Sequence, residues 1–342
     1  MMIQIEKPTL RRKDMSAVLQ TMVDELIGPG ENSKAFLSSL CQYLQIEGFS
    51  VALRSFVDSL FYAMKALSLQ PGATIGITSL SPSIYSYVAS LLNLKIKIFD
   101  INPLTMSFDI DMLKGELSTI DALLIYEPYG LLTPQELYDE IEIPTIVDIS
   151  QSLGCSNDEY SAGSKGDILV MSFEQGDMIS TGGGGALLFR ESGKESAISE
   201  DMTLLHPYIG LTDINSSLGI IQLSNLEHDI LKRRAIFSSY TLAASQNKHL
   251  SFGTTSIDYQ TNGYSFLLTV ESKVEEAIVF AKKYEVSCSI AFPDTVIKDQ
   301  LDLFERYPKS IPIIQRTIKF PLYPFLMNRE IAQIEKVISQ LP

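Results

Sequence analysis

The chain has 342 residues, of which 45% are hydrophobic, and its 41 acidic and 27 basic residues give a formal net charge of −14. This length suits one large α/β domain plus a smaller one, and the hydrophobic fraction is enough to build a substantial core. The acidic balance excludes general binding to nucleic acid or to anionic membranes, because both need a basic face. It still permits a phosphate ligand held locally by backbone N–H groups.

The cysteines Cys41, Cys155 and Cys288 are odd in number and far apart, and the three histidines are equally scattered. This spacing predicts neither a disulfide framework nor a metal site. No stretch approaches the ~18 uninterrupted apolar residues that a membrane span needs. The charged N-terminal segment is not followed by the apolar core of a signal peptide. We therefore expect a cytoplasmic protein without a membrane span.

Residues 12–27 and 33–45 are predicted to form two helices, and apolar residues at helical spacing predict a third from Val57 to Leu67. Strand and helix signals then alternate. The predicted strands cover 73–78, 95–100, 121–126, 144–148, 167–173 and 185–190, and the predicted helices cover 83–94 and 133–141. Helical connections of this length favour parallel pairing, and continuously apolar strands favour a sheet that is covered on both faces.

The last third of the chain differs in pattern. A long helix is predicted over about 214–245, followed by strands at 266–270, 287–292 and 317–322 and a final helix at 328–341. We divide the chain into a large domain (1–213), an interdomain helix (214–245) and a small C-terminal α/β domain (246–342). The predicted fold is α/β, with a three-layer α-β-α large domain around a mostly parallel mixed sheet.

An ordered set of motifs connects the chain to a known family. Asp148, Gln151 and Gly154 form a D-x-x-Q-x-x-G motif after a strand, and Ser172-Phe173 precedes a glycine-rich turn. Matching segments lie in the same order at 64–72, 99–109, 218–223 and 319–324. Together they resemble the DegT/DnrJ/StrS family of pyridoxal-phosphate-dependent nucleotide-sugar aminotransferases. The resemblance implies the type I aspartate-aminotransferase fold over nearly the whole chain.

The resemblance also implies a lysine five residues after Ser172, whose amine forms an imine with pyridoxal phosphate. Asp177 stands at that position, and a carboxylate cannot form an imine. The segment 172–185 contains no lysine, so a shifted register does not supply one. Lys165, the nearest lysine in sequence, precedes the strand and is interpreted as a loop residue. We therefore predict that Asp177 is inactive in transamination.

By the same resemblance, Asp148, Gln151 and Ser172 are vestigial cofactor-binding positions. Asp148 would face the pyridine nitrogen, which needs a carboxylate to stay protonated. An alternative interpretation of Asp148 is a strand-end residue that makes turn hydrogen bonds.

Three other family positions are changed. The phosphate-binding turn is replaced by Ser55-Phe56-Val57, the stacking aromatic by Ser81-Pro82, and the polar clamp from the partner subunit by Tyr208 and Gly210. Tyr85 would supply the missing ring only if its loop were remodelled. The glycine-rich run from Thr181 to Gly185 is typical of a tight turn and needs no cofactor.

These changes predict a non-catalytic homologue with no cofactor, acting as a scaffold, a sugar-nucleotide-binding protein or a regulator in a surface-polysaccharide or sugar pathway. The alternative is a nucleotide-sugar aminotransferase or dehydratase that holds pyridoxal or pyridoxamine phosphate noncovalently, with Asp177 as general base where some relatives have histidine. A third hypothesis is an active transaminase with an unrecognised lysine. The resemblance implies a homodimer, or a heterodimer with an active paralogue.

Overall fold

A seven-stranded sheet forms the centre of the computed structural model, which describes residues 2–12, 14–25, 27–252 and 259–342. Its strands are β1 (Ser50–Leu53), β2 (Thr74–Thr78), β3 (Lys95–Phe99), β4 (Ala122–Tyr126), β5 (Thr145–Asp148), β6 (Ile168–Ser172) and β7 (Gly185–Phe189). Their order across the sheet is β1-β7-β6-β5-β4-β2-β3. The run from β3 to β6 is parallel, and β7 pairs antiparallel with both β6 and β1. The predicted mostly parallel, mixed sheet is confirmed.

Helices cover both faces of this sheet. The α-helices of this part of the chain are α1 (Asp14–Val23), α2 (Glu31–Leu44), α3 (Phe56–Ala66), α4 (Ile84–Leu91), α5 (Ile110–Glu116), α6 (Gln135–Glu140), α7 (Ser199–Ile209), α8 (Asp213–Ser224) and α9 (Leu226–Ala244). Of these, α1 packs against α8. Alternate residues of β4 enter different cores. Leu123 and Ile125 pack with α2, α5, α6 and α9, whereas Ala122 and Leu124 pack with α3, α4 and α7. This two-residue alternation produces the predicted three-layer architecture.

Several predicted boundaries need correction. The helix predicted over 12–27 is α1, and residues 13 and 26 of that range lie outside the described residues. The single helix predicted over 214–245 is two helices, α8 and α9, which meet at Asn225. The Asn225 side chain donates to the backbone oxygen of Ile221 at 2.7 Å and so closes the end of α8. Asparagine competes for backbone groups in this way, which explains the break.

A second, four-stranded antiparallel sheet lies in the C-terminal third, in the order β10-β11-β9-β8. Its elements are β8 (Leu250–Ser251), β9 (Phe266–Thr269), α10 (Val274–Lys283), β10 (Ser289–Ile290), α11 (Ser310–Arg316), β11 (Thr317–Phe320) and α12 (Asn328–Ser339). The strand predicted at 287–292 is shorter, covering only β10. Helix α9 contributes Ile230 to the core of the large sheet and Tyr240 to that of the small one. It therefore connects the two cores.

Candidate functional site

The predicted site residues meet where parallel strands end. Asp148 is the last residue of β5, Ser172 is the last residue of β6, and Asp177 lies in the loop that follows β6. The carboxyl ends of parallel strands share one edge of the sheet, which is where such folds bind ligands. The structure brings Asp177 and Asp148 close enough for the charge of Asp148 to raise the pKa of Asp177.

Asp148 is buried and its two carboxylate oxygens already have partners. The Tyr85 hydroxyl donates to Oδ2 at 2.5 Å. The backbone N–H of Ser150 donates to Oδ1 at 2.9 Å, and the Ser150 hydroxyl also donates to Oδ1. Burial raises the pKa of Asp148, and the hydrogen bonds from Ser150 and Tyr85 oppose that rise. A ligand nitrogen that binds Asp148 Oδ2 would therefore have to displace the Tyr85 hydroxyl.

Asp177 is also buried, and its surroundings place its titration near neutral pH. Its Oδ2 accepts from the backbone N–H of Glu174 at 2.8 Å, and its Oδ1 accepts from the Tyr264 hydroxyl at 3.3 Å. Burial raises the pKa of Asp177 to about 7, against the lowering effect of hydrogen bonds from Ser172 and Glu174. A carboxyl with such a pKa can take up or release a proton at physiological pH.

Glu127 is a third buried carboxyl, which the sequence interpretation missed. It follows β4, and its Oε2 accepts from the Ser152 hydroxyl at 2.5 Å while its Oε1 accepts from the backbone N–H of Thr133 at 3.1 Å. Burial raises the pKa of Glu127 to about 7. The sequence did contain a signal for Glu127, since an acidic residue directly after five apolar strand residues marks the carboxyl end of a parallel strand.

The other predicted residues are positioned by internal hydrogen bonds. The Gln151 side-chain oxygen accepts from the Tyr126 hydroxyl at 3.0 Å and from the backbone N–H of Tyr129 at 2.8 Å. The backbone N–H of Ser172 donates to the Ser150 hydroxyl at 2.8 Å, which links Ser172 to the group that holds Asp148. Ser172 thus belongs to the hydrogen-bond network around Asp148, whereas Gln151 fixes the segment from Tyr126 to Tyr129.

The start of α3, where the resemblance implies a phosphate-binding turn, carries its own negative charge. The Ser55 hydroxyl accepts from the backbone N–H of Asp58 at 3.0 Å and donates to its carboxylate at 2.7 Å. The Asp58 carboxylate lies in the first helical turn, where the positive end of the helix dipole stabilises its negative charge. It also repels a second anion. This helix start therefore fits a phosphate group poorly.

Replacing Ser55 with Ala should lower the free energy of unfolding by about 1 kcal/mol, because the side chain caps α3. Chemical denaturation measures this change. Ser39→Ala is the matched control, since the Ser39 hydroxyl only donates to the Ala35 carbonyl within α2 and is exposed. Equal losses in the two variants would show that Ser55 does not act as a cap.

The lysine nearest to Asp177 in the sequence does not lie at the site, whereas two lysines from distant parts of the chain do lie near it. Lys165 precedes β6 and so lies at the opposite edge of the sheet from Asp177. Lys7 and Lys319 line a small cleft together with Gly176 and Tyr264. The Lys319 ammonium pairs with Glu6, and the Lys7 ammonium lies 5.4 Å from the centre of the Tyr323 ring. Of these three lysines, only Lys7 and Lys319 are near Asp177.

The two clamp positions of the resemblance differ in exposure. Tyr208 is 72% exposed on α7. The Gly210 carbonyl accepts from the Arg54 side chain at 3.2 Å. Among the described residues, no group of three or more histidine, cysteine, aspartate or glutamate side chains is arranged to hold a metal ion, and no helix is long and apolar enough to cross a bilayer.

The sequence profile of the DegT/DnrJ/EryC1/StrS aminotransferase family matches residues 8–341. The chain belongs to this family. One relative is the UDP-4-amino-4,6-dideoxy-N-acetyl-beta-L-altrosamine transaminase of Campylobacter jejuni, which is 26% identical over 272 residues, covering 73% of this chain and 72% of the relative. This relative is a sugar transaminase by its name.

Solved structures of a sugar aminotransferase and a sugar dehydratase share the fold. The putative sugar aminotransferase Spr1654 from Streptococcus pneumoniae, in its PMP form, superimposes with a TM-score of 0.90 at 18% identity, covering 99% of this chain and 97% of that one. The E. coli GDP-4-keto-6-deoxy-D-mannose-3-dehydratase with bound hydrated PLP has a TM-score of 0.84 at 15% identity, covering 99% of this chain and 100% of that one. These similarities establish the predicted PLP-transferase fold.

The comparisons favour the enzymatic alternative over the non-catalytic interpretation. The relatives named above are sugar transaminases or a sugar dehydratase, and two of them are described with PMP or PLP. They do not demonstrate that catalysis has been lost in this chain. Membership of the DegT/DnrJ/EryC1/StrS aminotransferase family is therefore established.

The residues at the sheet edge fit part of what this cofactor needs. Asp148 offers a buried carboxylate for a ring nitrogen, and Asp177 offers a proton carrier with a pKa of about 7. The segment 172–185 offers no amine for a covalent link. The donor chemistry thus fits a cofactor held noncovalently at its ring, provided that Tyr85 moves away from Asp148.

Proposed function

We propose that this chain is a nucleotide-sugar enzyme of the family that works without a covalent bond between a lysine and its cofactor. The observation that carries the proposal is Asp177: a buried carboxyl with a pKa of about 7, five residues after Ser172. It can exchange a proton at neutral pH, as a general acid or base must. The chemistry of the relatives, transamination and dehydration of nucleotide sugars, supports the substrate class.

In this proposal Asp148, Asp177 and Tyr264 each have a defined task. A bound pyridoxamine or pyridoxal phosphate supplies the electron sink that neither reaction can do without. Asp148 would hold the protonated ring nitrogen. Asp177 would hold and release the proton at its carboxyl oxygens, with Tyr264 fixing its orientation through Oδ1. Burial of both carboxyls excludes water from them.

The non-catalytic homologue is the second candidate, and two observations favour it. The Tyr85 hydroxyl occupies the Asp148 oxygen that a ring nitrogen needs, and Asp58 places a carboxylate at the helix start that would meet the phosphate. In this case the chain would bind a sugar nucleotide or a family partner without turning it over. A homodimer, or a heterodimer with an active paralogue, is proposed for both candidates and is testable by sedimentation equilibrium.

Titration with pyridoxamine phosphate, followed by calorimetry and then by turnover of a nucleotide 4-keto sugar, separates the two candidates. The first candidate predicts noncovalent binding, turnover, and a rate that falls by about 10²–10⁴-fold in Asp177→Asn. Glu127→Gln is the matched control, because it removes a buried carboxyl of similar pKa outside the position after Ser172. No binding at millimolar pyridoxamine phosphate would refute the first candidate and leave the second.

A further inference from the structure

A polar cleft of about 380 Å³ lies away from the residues assigned to the sheet-edge site. It is formed by the end of α2, the loop after β5 and the side of α9. Its lining includes Arg190, Arg234, Gln260 and three serines, and it includes none of Asp148, Gln151, Ser172 and Asp177. Two guanidinium groups in one cleft are unexpected in a chain with a net charge of −14.

Arg190 is held in place by neutral groups only. Its Nε donates to the Gly166 carbonyl at 3.0 Å, and its Nη2 donates to the carbonyls of Lys165, at 3.5 Å, and Gly163. Asp167, the nearby acid, instead pairs with Lys194 at 2.9 Å. Within the described residues no carboxylate forms an ion pair with Arg190. Its guanidinium group is therefore fixed in position without a direct ion pair.

Arg234 repeats this arrangement from α9. Its Nε donates to the Thr261 carbonyl at 2.7 Å, its Nη2 to the Gly154 carbonyl at 3.0 Å, and its Nη1 to the Gln260 side-chain oxygen at 2.8 Å. The structure shows no ion pair for Arg234 among the residues it describes. Glu227 is the acid that lines the cleft, and it accepts a hydrogen bond from the Tyr43 hydroxyl at 2.6 Å.

Hydroxyl groups complete the lining. Ser156, Ser161 and Ser164 face the cleft, and the Ser164 oxygen is buried without a hydrogen-bond partner in the described structure. Buried polar atoms are almost always paired, so the unpaired Ser164 hydroxyl, in the cleft that the two arginines also line, is a candidate hydrogen-bond partner for an oxygen-rich ligand. Arginine combined with hydroxyl donors is the usual protein surface for phosphate oxygens.

We propose that this cleft binds a phosphate group, carried by a small phosphorylated ligand, at Arg190, Arg234 and Ser164. The site is independent of the function proposed for Asp177. Its ligand would lie against α9, the helix that connects the cores of the two sheets.

Inorganic phosphate and pyrophosphate are the probes, titrated into the full chain by calorimetry. Ser161→Asp is the informative variant, because it adds a carboxylate to the cleft without removing any arginine contact to the backbone. We expect it to weaken phosphate binding by more than tenfold. Ser196→Asp, which adds the same charge at an exposed position outside the cleft lining, should leave the affinity within about twofold.

A second variant, Ser164→Ala, removes the unpaired hydroxyl and should weaken binding severalfold without loss of stability. Three results would overturn the proposal: no phosphate binding at millimolar concentration, equal weakening by Ser161→Asp and Ser196→Asp, or unchanged affinity in both Ser161→Asp and Ser164→Ala. Phosphate bound instead near Asp177 would leave all three variants at wild-type affinity, so this site and the proposed enzymatic site are tested separately.

Discussion

Replacing Asp177 with Asn should make the free energy of unfolding less dependent on pH between about 4 and 7. In the folded protein the pKa of Asp177 is about 7, whereas its ordinary value is 3.8. Between these values the folded state holds a proton that the unfolded state has released. The contribution of this group to stability is therefore fully present below pH 3.8 and is lost as the pH rises through 7, a change of up to about 4 kcal/mol.

Urea denaturation of the wild type and of Asp177→Asn across this pH range measures the difference. The variant carries no titrating group at this position. The free energy of unfolding of the wild type should therefore fall relative to that of the variant as the pH rises. Glu127→Gln should act in the same direction, since the pKa of Glu127 is also raised to about 7. Asp158→Asn, at an exposed position, is the control and should leave the slope unchanged. Parallel curves for wild type and Asp177→Asn would show that Asp177 titrates normally.

Replacing Tyr85 with Phe should lower the free energy of unfolding by about 1–3 kcal/mol, because the buried Asp148 oxygen loses its donor at 2.5 Å. The pKa of Asp148 should rise further, because the Tyr85 hydrogen bond lowers it in the wild type. Under the enzymatic proposal, the variant should also bind pyridoxamine phosphate more tightly, since the competing hydroxyl is gone.

Tyr240→Phe is the matched control for this substitution. The Tyr240 hydroxyl is equally buried but donates to the neutral Pro321 carbonyl at 3.2 Å, so its loss should cost less and leave cofactor affinity unchanged. Denaturation and calorimetry on both variants provide the comparison. If Tyr85→Phe destabilises no more than Tyr240→Phe, the hydroxyl does not hold Asp148.

The sequence predicted the large sheet well because its strands are strongly apolar and separated by helices. It missed β1, whose four residues are too few to show an alternation of their own. It also missed the break at Asn225, because the apolar pattern continues on both sides of it. A side chain that caps a helix against its own backbone changes no hydrophobic period, so the periodicity alone could not reveal it.

Only part of the site was predicted, because some of its contacts have a signal in the sequence and others do not. Asp148, Ser172 and Asp177 follow neighbouring strands, so their proximity is implied by parallel order. Tyr264 lies 87 residues from Asp177 in the chain, and its hydroxyl reaches Asp177 only in the folded structure. The Tyr85 contact with Asp148 depends on the course of the loop before α4. Neither contact has a local sequence signal.

Pyridoxal phosphate followed by borohydride reduction, with peptide mapping by mass spectrometry, tests most directly the claim that a carboxylate has taken the place of the reactive amine. We predict that neither Lys7 nor Lys319, the lysines of the cleft beside Gly176, carries the reduced cofactor, whatever scattered labelling surface lysines show. Stoichiometric reduction of the cofactor onto either of these lysines would contradict the account, since an amine from a distant part of the chain would then supply the chemistry that Asp177 lacks.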